Sequence, residues 1–287
     1  MIPAQNIIAW GNVAPWADQR QIEQDLIISR GIVAIFSDPF LRGALRFRGG
    51  TALNKLHFPA PLRYSEDIDL VRTEAGPIGP VLDALRAVLE PWLGRGHYEA
   101  SPVAPKLKFR IEAEDGSGAI RLKIETNIAE IEAYDPPAEL LFSVANPWFT
   151  GNVAVPTFSP EEMLATKLRA LLQREKGRDL YDLAHGLDVF GELDAPKVAD
   201  LFGRYVALSG QVITRAQAEE RMFAKLARPR FLTDMRPLLP AAQAEALTDE
   251  ATLASFTRVF STFIERLPGE SWARTGAMRE RFGVVHA

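Results

Sequence analysis

Arg48-Gly49-Gly50-Thr51-Ala52-Leu53 and, a short loop later, Ser65-Glu66-Asp67-Ile68-Asp69-Leu70 decide how this chain is read. The first stretch is a small glycine turn leading into a helix; the second sets two carboxylates one apolar residue apart. Residues 66 to 71 read as a strand, whose two-residue period puts Asp67 and Asp69 on one face and Ile68 and Leu70 on the other. Two carboxylates side by side concentrate negative charge that a divalent cation, or a shifted pKa, must relieve. Oxygen ligands of this kind suit Mg²⁺. The glycines let backbone N–H groups approach a phosphate, and the Thr51 hydroxyl can donate to it at the helix N-terminus. Metal-assisted chemistry on a nucleoside triphosphate requires this combination.

Composition bounds the reading. A chain of 287 residues with 47% hydrophobic content can bury one large core or two smaller ones. The formal net charge of −4 gives no overall basic signature, so contact with a polyanion needs a local patch. The absence of cysteine excludes disulfides, a thiol nucleophile and Cys-ligated zinc, and is compatible with a cytoplasmic location. Only His57, His97, His185 and His286 are available, too few for a His-rich zinc site. With no long apolar run and no charged-then-apolar leader, neither membrane insertion nor secretion is expected.

Outward from the two motifs, Gln21 to Phe36 reads as a helix with Ile22, Leu26, Ile27 and Val33 on its buried stripe, and Asp83 to Trp92 as another. Arg46 to Arg48 is a short strand leading into the glycine turn. Lys106 to Glu112 and Ile120 to Ile128 alternate around Asp115-Gly116-Ser117-Gly118, a hairpin signal. In its second strand Leu122 and Ile124 take the core face, leaving Arg121, Lys123, Glu125 and Asn127 on the other. Glu125 is therefore the natural third carboxylate beside Asp67 and Asp69, unless it is simply paired within a solvated stripe. Ser159-Pro160-Glu161-Glu162 starts a helix that carries Lys167 near its apolar stripe. A second helix from about Gly177 holds Arg178, Asp179 and Asp182, with Arg178 and Asp182 one turn apart and able to pair. Beyond Leu193 the chain is helical and Ala-rich, broken at Gly210, Pro229, Pro237 and Pro240, with an apolar stripe of Leu253, Phe256, Val259, Phe260 and Phe263. The expected organisation is α/β (α+β): a mixed-sheet core over residues 1–157, then a helical part over 158–287.

Gly49-Gly50-Thr51-Ala52-Leu53, Arg63-Tyr64-Ser65-Glu66-Asp67-Ile68-Asp69-Leu70, Lys167-Leu168-Arg169-Ala170 and Arg178-Asp179-Leu180-Tyr181-Asp182-Leu183 resemble, in that order, motifs of the AbiEii/AbiGii (MenT-like) nucleotidyltransferase toxins of bacterial type IV toxin–antitoxin and phage-defence systems. The resemblance runs over roughly residues 45 to 185. It implies a DNA polymerase β-like core followed by a helical bundle, with the matching Lys167 and Asp182 in the active-site set. Gly49, Gly50, Thr51, Lys55, Ser65 and Lys167 would then bind the nucleotide, Arg178 and Asp179 would support the site, and Asp67, Asp69 and Glu125 would hold Mg²⁺ or Mn²⁺. The activity it implies is nucleotidyl transfer from a nucleoside triphosphate (NTP) to the 3′ end of tRNA, which blocks aminoacylation and growth, with a separate antitoxin encoded by an adjacent gene. Lys106, Lys108 and Arg110, with Arg121 and Lys123 nearby, would give the basic rim for RNA. Two rivals stand beside this reading: a transferase of the same fold acting on a small molecule or protein hydroxyl, and a non-catalytic binding subunit.

Overall fold

The computed structural model describes residues 2–285 apart from 229, 230 and 232, and divides into two compact units, Met1–Ser159 and Pro160–Ala287.

The first unit is built on one mixed sheet of seven strands: β1 (Leu45–Arg48), β2 (Asp67–Arg72), β3 (His97–Glu99), β4 (Lys106–Glu112), β5 (Ala119–Asn127), β6 (Ala138–Asn146) and β7 (Phe149–Thr157), in the order β3-β4-β5-β2-β1-β7-β6. β2 runs antiparallel to β1 and parallel to β5, so the two motif strands lie at the centre of the sheet. On its apolar face Ile68, Leu70, Leu122 and Ile124 are buried, each worth roughly 1.5–3 kcal/mol when fully removed from water. The helix covering that face, α1 (Gln19–Ser37), starts at Asp18, whose side chain accepts from the Arg20 main-chain N–H, and lies across β2, β5, β6 and β7. Gly31 of α1 sits against Ile68. Leu26, Ile27 and Val33 of its expected stripe are buried and Ile22 is half-buried, but the stripe understates what the helix covers: Glu23, Gln24 and Asp25 are buried as well.

The expected hairpin forms as β4 and β5, and the second expected helix spans Gly79–Leu93. The β6–β7 hairpin has no counterpart among the elements expected from sequence. Yet β6 alternates plainly, with Phe142, Val144 and Asn146 buried and the residues between them exposed.

The second unit is helical. The first two of its helices, Pro160–Gln173 and Gly177–Val189, carry the conspicuous Lys and Asp residues. Further on, Phe256, Val259, Phe260 and Phe263 are fully buried, and Phe256 and Phe260 stack with ring centroids 5.7 Å apart and also pack on Phe223. Gly210 takes a left-handed φ of 68° at one expected break; the break expected at Pro229 lies outside the described residues.

Candidate active site

The parallel pairing of β2 and β5 sets Asp67 opposite Lys123 and Asp69 opposite Glu125. The neighbouring pairings extend these into two rows across the polar face of the sheet. One runs Arg48, Asp69, Glu125, Lys106, Glu99; the other runs Asp67, Lys123, Lys108, His97. The three expected carboxylates thus come together on adjacent strands, because residues directly opposite in a ladder share a face. Burial, and then the charges of Asp67 and Glu125, raise the Asp69 carboxyl above its ordinary range despite Lys123 and Arg48 nearby.

Lys123 is the principal cation here. Its Nζ lies 2.9 Å from Asp67 Oδ2 and 3.3 Å from Glu125 Oε2, while Lys106 Nζ reaches Glu125 Oε2 at 4.0 Å. Burial alone would lower the Lys123 ammonium; its bond to Asp67 and the charges of Asp67, Glu125 and Asp69 outweigh that and hold it above its ordinary value. Among the described residues no three His, Asp or Glu side chains are gathered tightly enough to form a ready metal cage. The donor set itself, three carboxylates whose mutual repulsion already perturbs Asp69, has the all-oxygen chemistry that Mg²⁺ prefers.

The glycine turn is shaped by the same carboxylates. Gly49 has φ +85°, and a Cβ there would run into the Asp69 carboxylate. A Cβ on Gly50 would strike the guanidinium of Arg63, itself only 2% exposed, whose Nη1 donates to the Tyr64 carbonyl at 3.0 Å. Both glycines therefore admit protein side chains against the backbone. The Thr51 hydroxyl is engaged locally too: it lies 2.5 Å from the Asp67 carbonyl and 2.8 Å from Ser65 Oγ, and the residue is buried. Thr51 and Ser65 thereby pin the turn to the start of β2.

Three supporting residues went unread in the sequence. Gln24 Nε2 donates to the carbonyls of Glu66 (3.1 Å) and Arg121 (3.0 Å), fixing the starts of β2 and β5 relative to each other. Asn54 donates to the Gly50 carbonyl and accepts from the main-chain N–H groups of Leu62 and Arg63, all near 3 Å. Asp25 accepts from the indoles of Trp10 and Trp16 at 2.8 and 3.1 Å and ion-pairs with Lys55. A polar residue buried inside a helical stripe breaks amphipathic periodicity, and that was the available signal. Lys55, expected at the nucleotide, lines a cleft of about 280 Å³ with Trp10, Trp16, Asp25, Thr51 and Ser65, two of which, Thr51 and Ser65, were expected there too; neither Asp69 nor Glu125 lines that cleft.

In the second unit Lys167, 5% exposed, places Nζ 3.3 Å from Asp179 Oδ1 and 3.0 Å from Asp182 Oδ2. Arg174 forks onto Asp179 at 2.7 and 2.8 Å. Burial would raise Asp179, but Lys167 and Arg174 overcome it and hold the carboxyl below its ordinary range. Asp182 pairs with Lys167 on the preceding helix, a partner that one-turn spacing along its own helix does not show.

Residues 31–262 match the family described as nucleotidyl transferase AbiEii toxin, type IV TA system. The chain belongs to the AbiEii nucleotidyltransferase toxin family. Among solved structures this AbiEii chain is similar to MenT4, a nucleotidyltransferase toxin from Mycobacterium tuberculosis H37Rv, with 19% identity, a TM-score of 0.63 and full coverage of both chains. It is also similar to JHP933 from Helicobacter pylori, with 15% identity, a TM-score of 0.51, and 84% of this chain and 94% of that one covered. At such identities the likeness is one of fold. No curated protein matches the AbiEii chain by sequence. Among its described residues no helix is long and apolar enough to cross a membrane.

Proposed function

We propose that the chain transfers a nucleoside monophosphate from an NTP to the 3′-terminal hydroxyl of tRNA, stopping translation and growth, and that a separate antitoxin restrains it. Family membership supports nucleotidyl transfer, a toxic role and an antitoxin partner. The observation that carries the reading is the in-register meeting of Asp69 with Glu125, with Asp67 on the same face. Asp67, Asp69 and Glu125 would hold Mg²⁺ or Mn²⁺, which when bound binds the triphosphate, stabilises charge on departing pyrophosphate and acidifies the attacking hydroxyl.

In the transfer, the acceptor oxygen forms a bond to the α-phosphorus as the bond to the pyrophosphate oxygen breaks, and the hydroxyl proton leaves to solvent. The backbone of Gly49 and Gly50 lies against the Asp69 carboxylate, so phosphate bound at this turn would sit beside the metal ligands. Thr51 and Ser65 hold that backbone in place. Lys167, aligned by Asp182 and Asp179, is proposed as a point cation for the triphosphate, with Arg178 in support. Lys106, Lys108 and Arg110 are proposed to track acceptor phosphates, although Glu99 engages the first two.

The test is purified protein with Mg²⁺, each labelled NTP in turn, and deacylated tRNA. Extension of the tRNA 3′ end, blocked by prior periodate oxidation of the terminal ribose, is expected. Label in a protein or small metabolite, with tRNA untouched, would move the acceptor to the alternative class and leave the transferase in place. No metal-dependent transfer to any acceptor would favour a binding subunit.

A further inference from the structure

We propose that Lys123 is the resident counter-ion of the carboxylate group, standing where a divalent cation binds, and that the ion must displace its ammonium to enter. The inference rests on the metal-binding reading given above. Its geometric basis is the position of Nζ, within 3.3 Å of carboxylate oxygens on both Asp67 and Glu125 and so bridging the two strands. A metal drawn to those oxygens and the ammonium would occupy the same space, and like charges at that range repel strongly.

The charge distribution agrees. Asp67, Asp69 and Glu125 bring three negative charges to this face, and Lys123 is the cation that lies between two of them. Without its ammonium, Asp67 would lose the cation 2.9 Å from it, leaving Arg48 beside Asp69 and Lys106 4.0 Å from Glu125.

Exit is open to the lysine. Lys123 and Glu125 side chains are each 31% exposed and Asp67 is 26% exposed, so the pair stands at the rim. Leu122 and Ile124, on either side of Lys123, anchor β5 from the apolar face. The flexible four-carbon stem can therefore swing aside without disturbing the strand. Ion pairs so placed are weak, which suits a cation meant to be replaced. Lys123 thus acts as a positioning residue, keeping the strands matched before the ion arrives and lowering the affinity for bare metal.

The experiment is Mn²⁺ binding to the full chain, without nucleotide, measured by electron paramagnetic resonance, alongside thermal melting with and without Mn²⁺. Lys123→Met keeps the stem and removes the charge; it is expected to bind Mn²⁺ about 5–10-fold tighter than wild type. It should melt lower than wild type without metal and gain more on adding it. Lys123→Arg should stay near wild-type affinity. Equal or weaker Mn²⁺ binding by a folded Lys123→Met overturns the proposal. If that variant does not fold, Lys123→Gln is used, and failure of Mn²⁺ to restore either fold also overturns it. Asp69→Asn separates the two ideas. Should wild type bind Mn²⁺ through Asp69 while Lys123→Met is unchanged, the counter-ion role alone falls. Should wild type bind no Mn²⁺, the metal reading falls and takes this role with it.

Discussion

Asp69 and Glu125 face each other across adjacent parallel strands, directly in register, although the sequence separates them by more than fifty residues and an intervening helix and hairpin. Asp67→Ala or Asp69→Ala should therefore lower transfer at least about 100-fold with the fold retained, because the lost group acts on charge developing at the reacting phosphate. Glu125→Gln should do nearly as much, an amide oxygen being an uncharged and poorer Mg²⁺ ligand. Single-turnover assays with circular dichroism on each variant check this; a folded Glu125→Gln with wild-type rate would remove Glu125 from the site.

The raised Asp69 carboxyl carries a sign that can be measured. Folding a carboxyl into a site that raises its pKa costs stability once the group is ionised in the unfolded chain. The penalty is absent in acid, grows as pH rises from the unfolded value, and is complete above the folded one. Metal-free Asp69→Asn should accordingly melt above wild type at pH 7, and the difference should shrink towards zero as pH falls through the ordinary carboxylate range. A gain that does not change with pH would show that like-charge repulsion is not its source.

Gly49 offers a backbone test. Its φ of +85° and the approach of the Asp69 carboxylate both exclude a side chain. Gly49→Ala should cost about 2 kcal/mol of stability, the range for a non-glycine residue held in the left-handed region together with local displacement. The cost should be smaller in an Asp69→Ala background, where the colliding carboxylate is gone. Strict additivity in urea titrations of the four proteins would show that the turn and the strand do not couple.

The motif strands, the glycine turn and the β4–β5 hairpin were legible because period-two alternation and turn residues are local signals. That Glu125 joins Asp67 and Asp69 followed from strand alternation, which fixes the face; the register that sets it opposite Asp69 did not. What stayed hidden was set by long-range partners. Asp25 looks like an ordinary helical acid until Trp10, Trp16 and Lys55 converge on it, and Gln24 gains its role only from carbonyls on two distant strands. The pairing of Lys55 with Asp25 was hidden for the same reason. Lys123 read as one cation of a basic rim, whereas register places it among the carboxylates.

His57 should shape the acid limb of stability. Burial lowers its pKa from 6.5 to about 4. Thr157 Oγ1 donates to the Phe47 carbonyl at 2.8 Å, leaving the hydroxyl oxygen to accept from His57 Nε2–H at 3.2 Å, which suits a neutral ring. Between these two pH values the unfolded chain binds a proton that the folded chain refuses, so stability is intact above pH 6.5 and is lost as pH falls towards 4. The loss from this group should be at most about 3.5 kcal/mol, since each pH unit across that window is worth about 1.4 kcal/mol. Urea unfolding over that window should give a shallower acid decline for His57→Gln than for wild type; parallel curves would mean that His57 is protonated in the folded chain.

Lys167 is the case in which structure and chemistry must be separated with care. It is buried against two fully buried carboxylates, and Arg174 also forks onto one of them, Asp179. Lys167→Met should therefore destabilise the chain by about 3–5 kcal/mol, because it takes the ammonium away from the buried Asp182 carboxylate. Loss of transfer in that variant alone would not place Lys167 at the triphosphate. Adding Asp182→Asn should restore much of the stability, since the remaining Asp179 charge is met by Arg174. If Lys167 is the phosphate cation, this refolded double variant should still transfer about 30–1000-fold more slowly, the loss of roughly 2–4 kcal/mol expected for one preorganised charge. Recovery of transfer together with stability would assign Lys167 a structural role only.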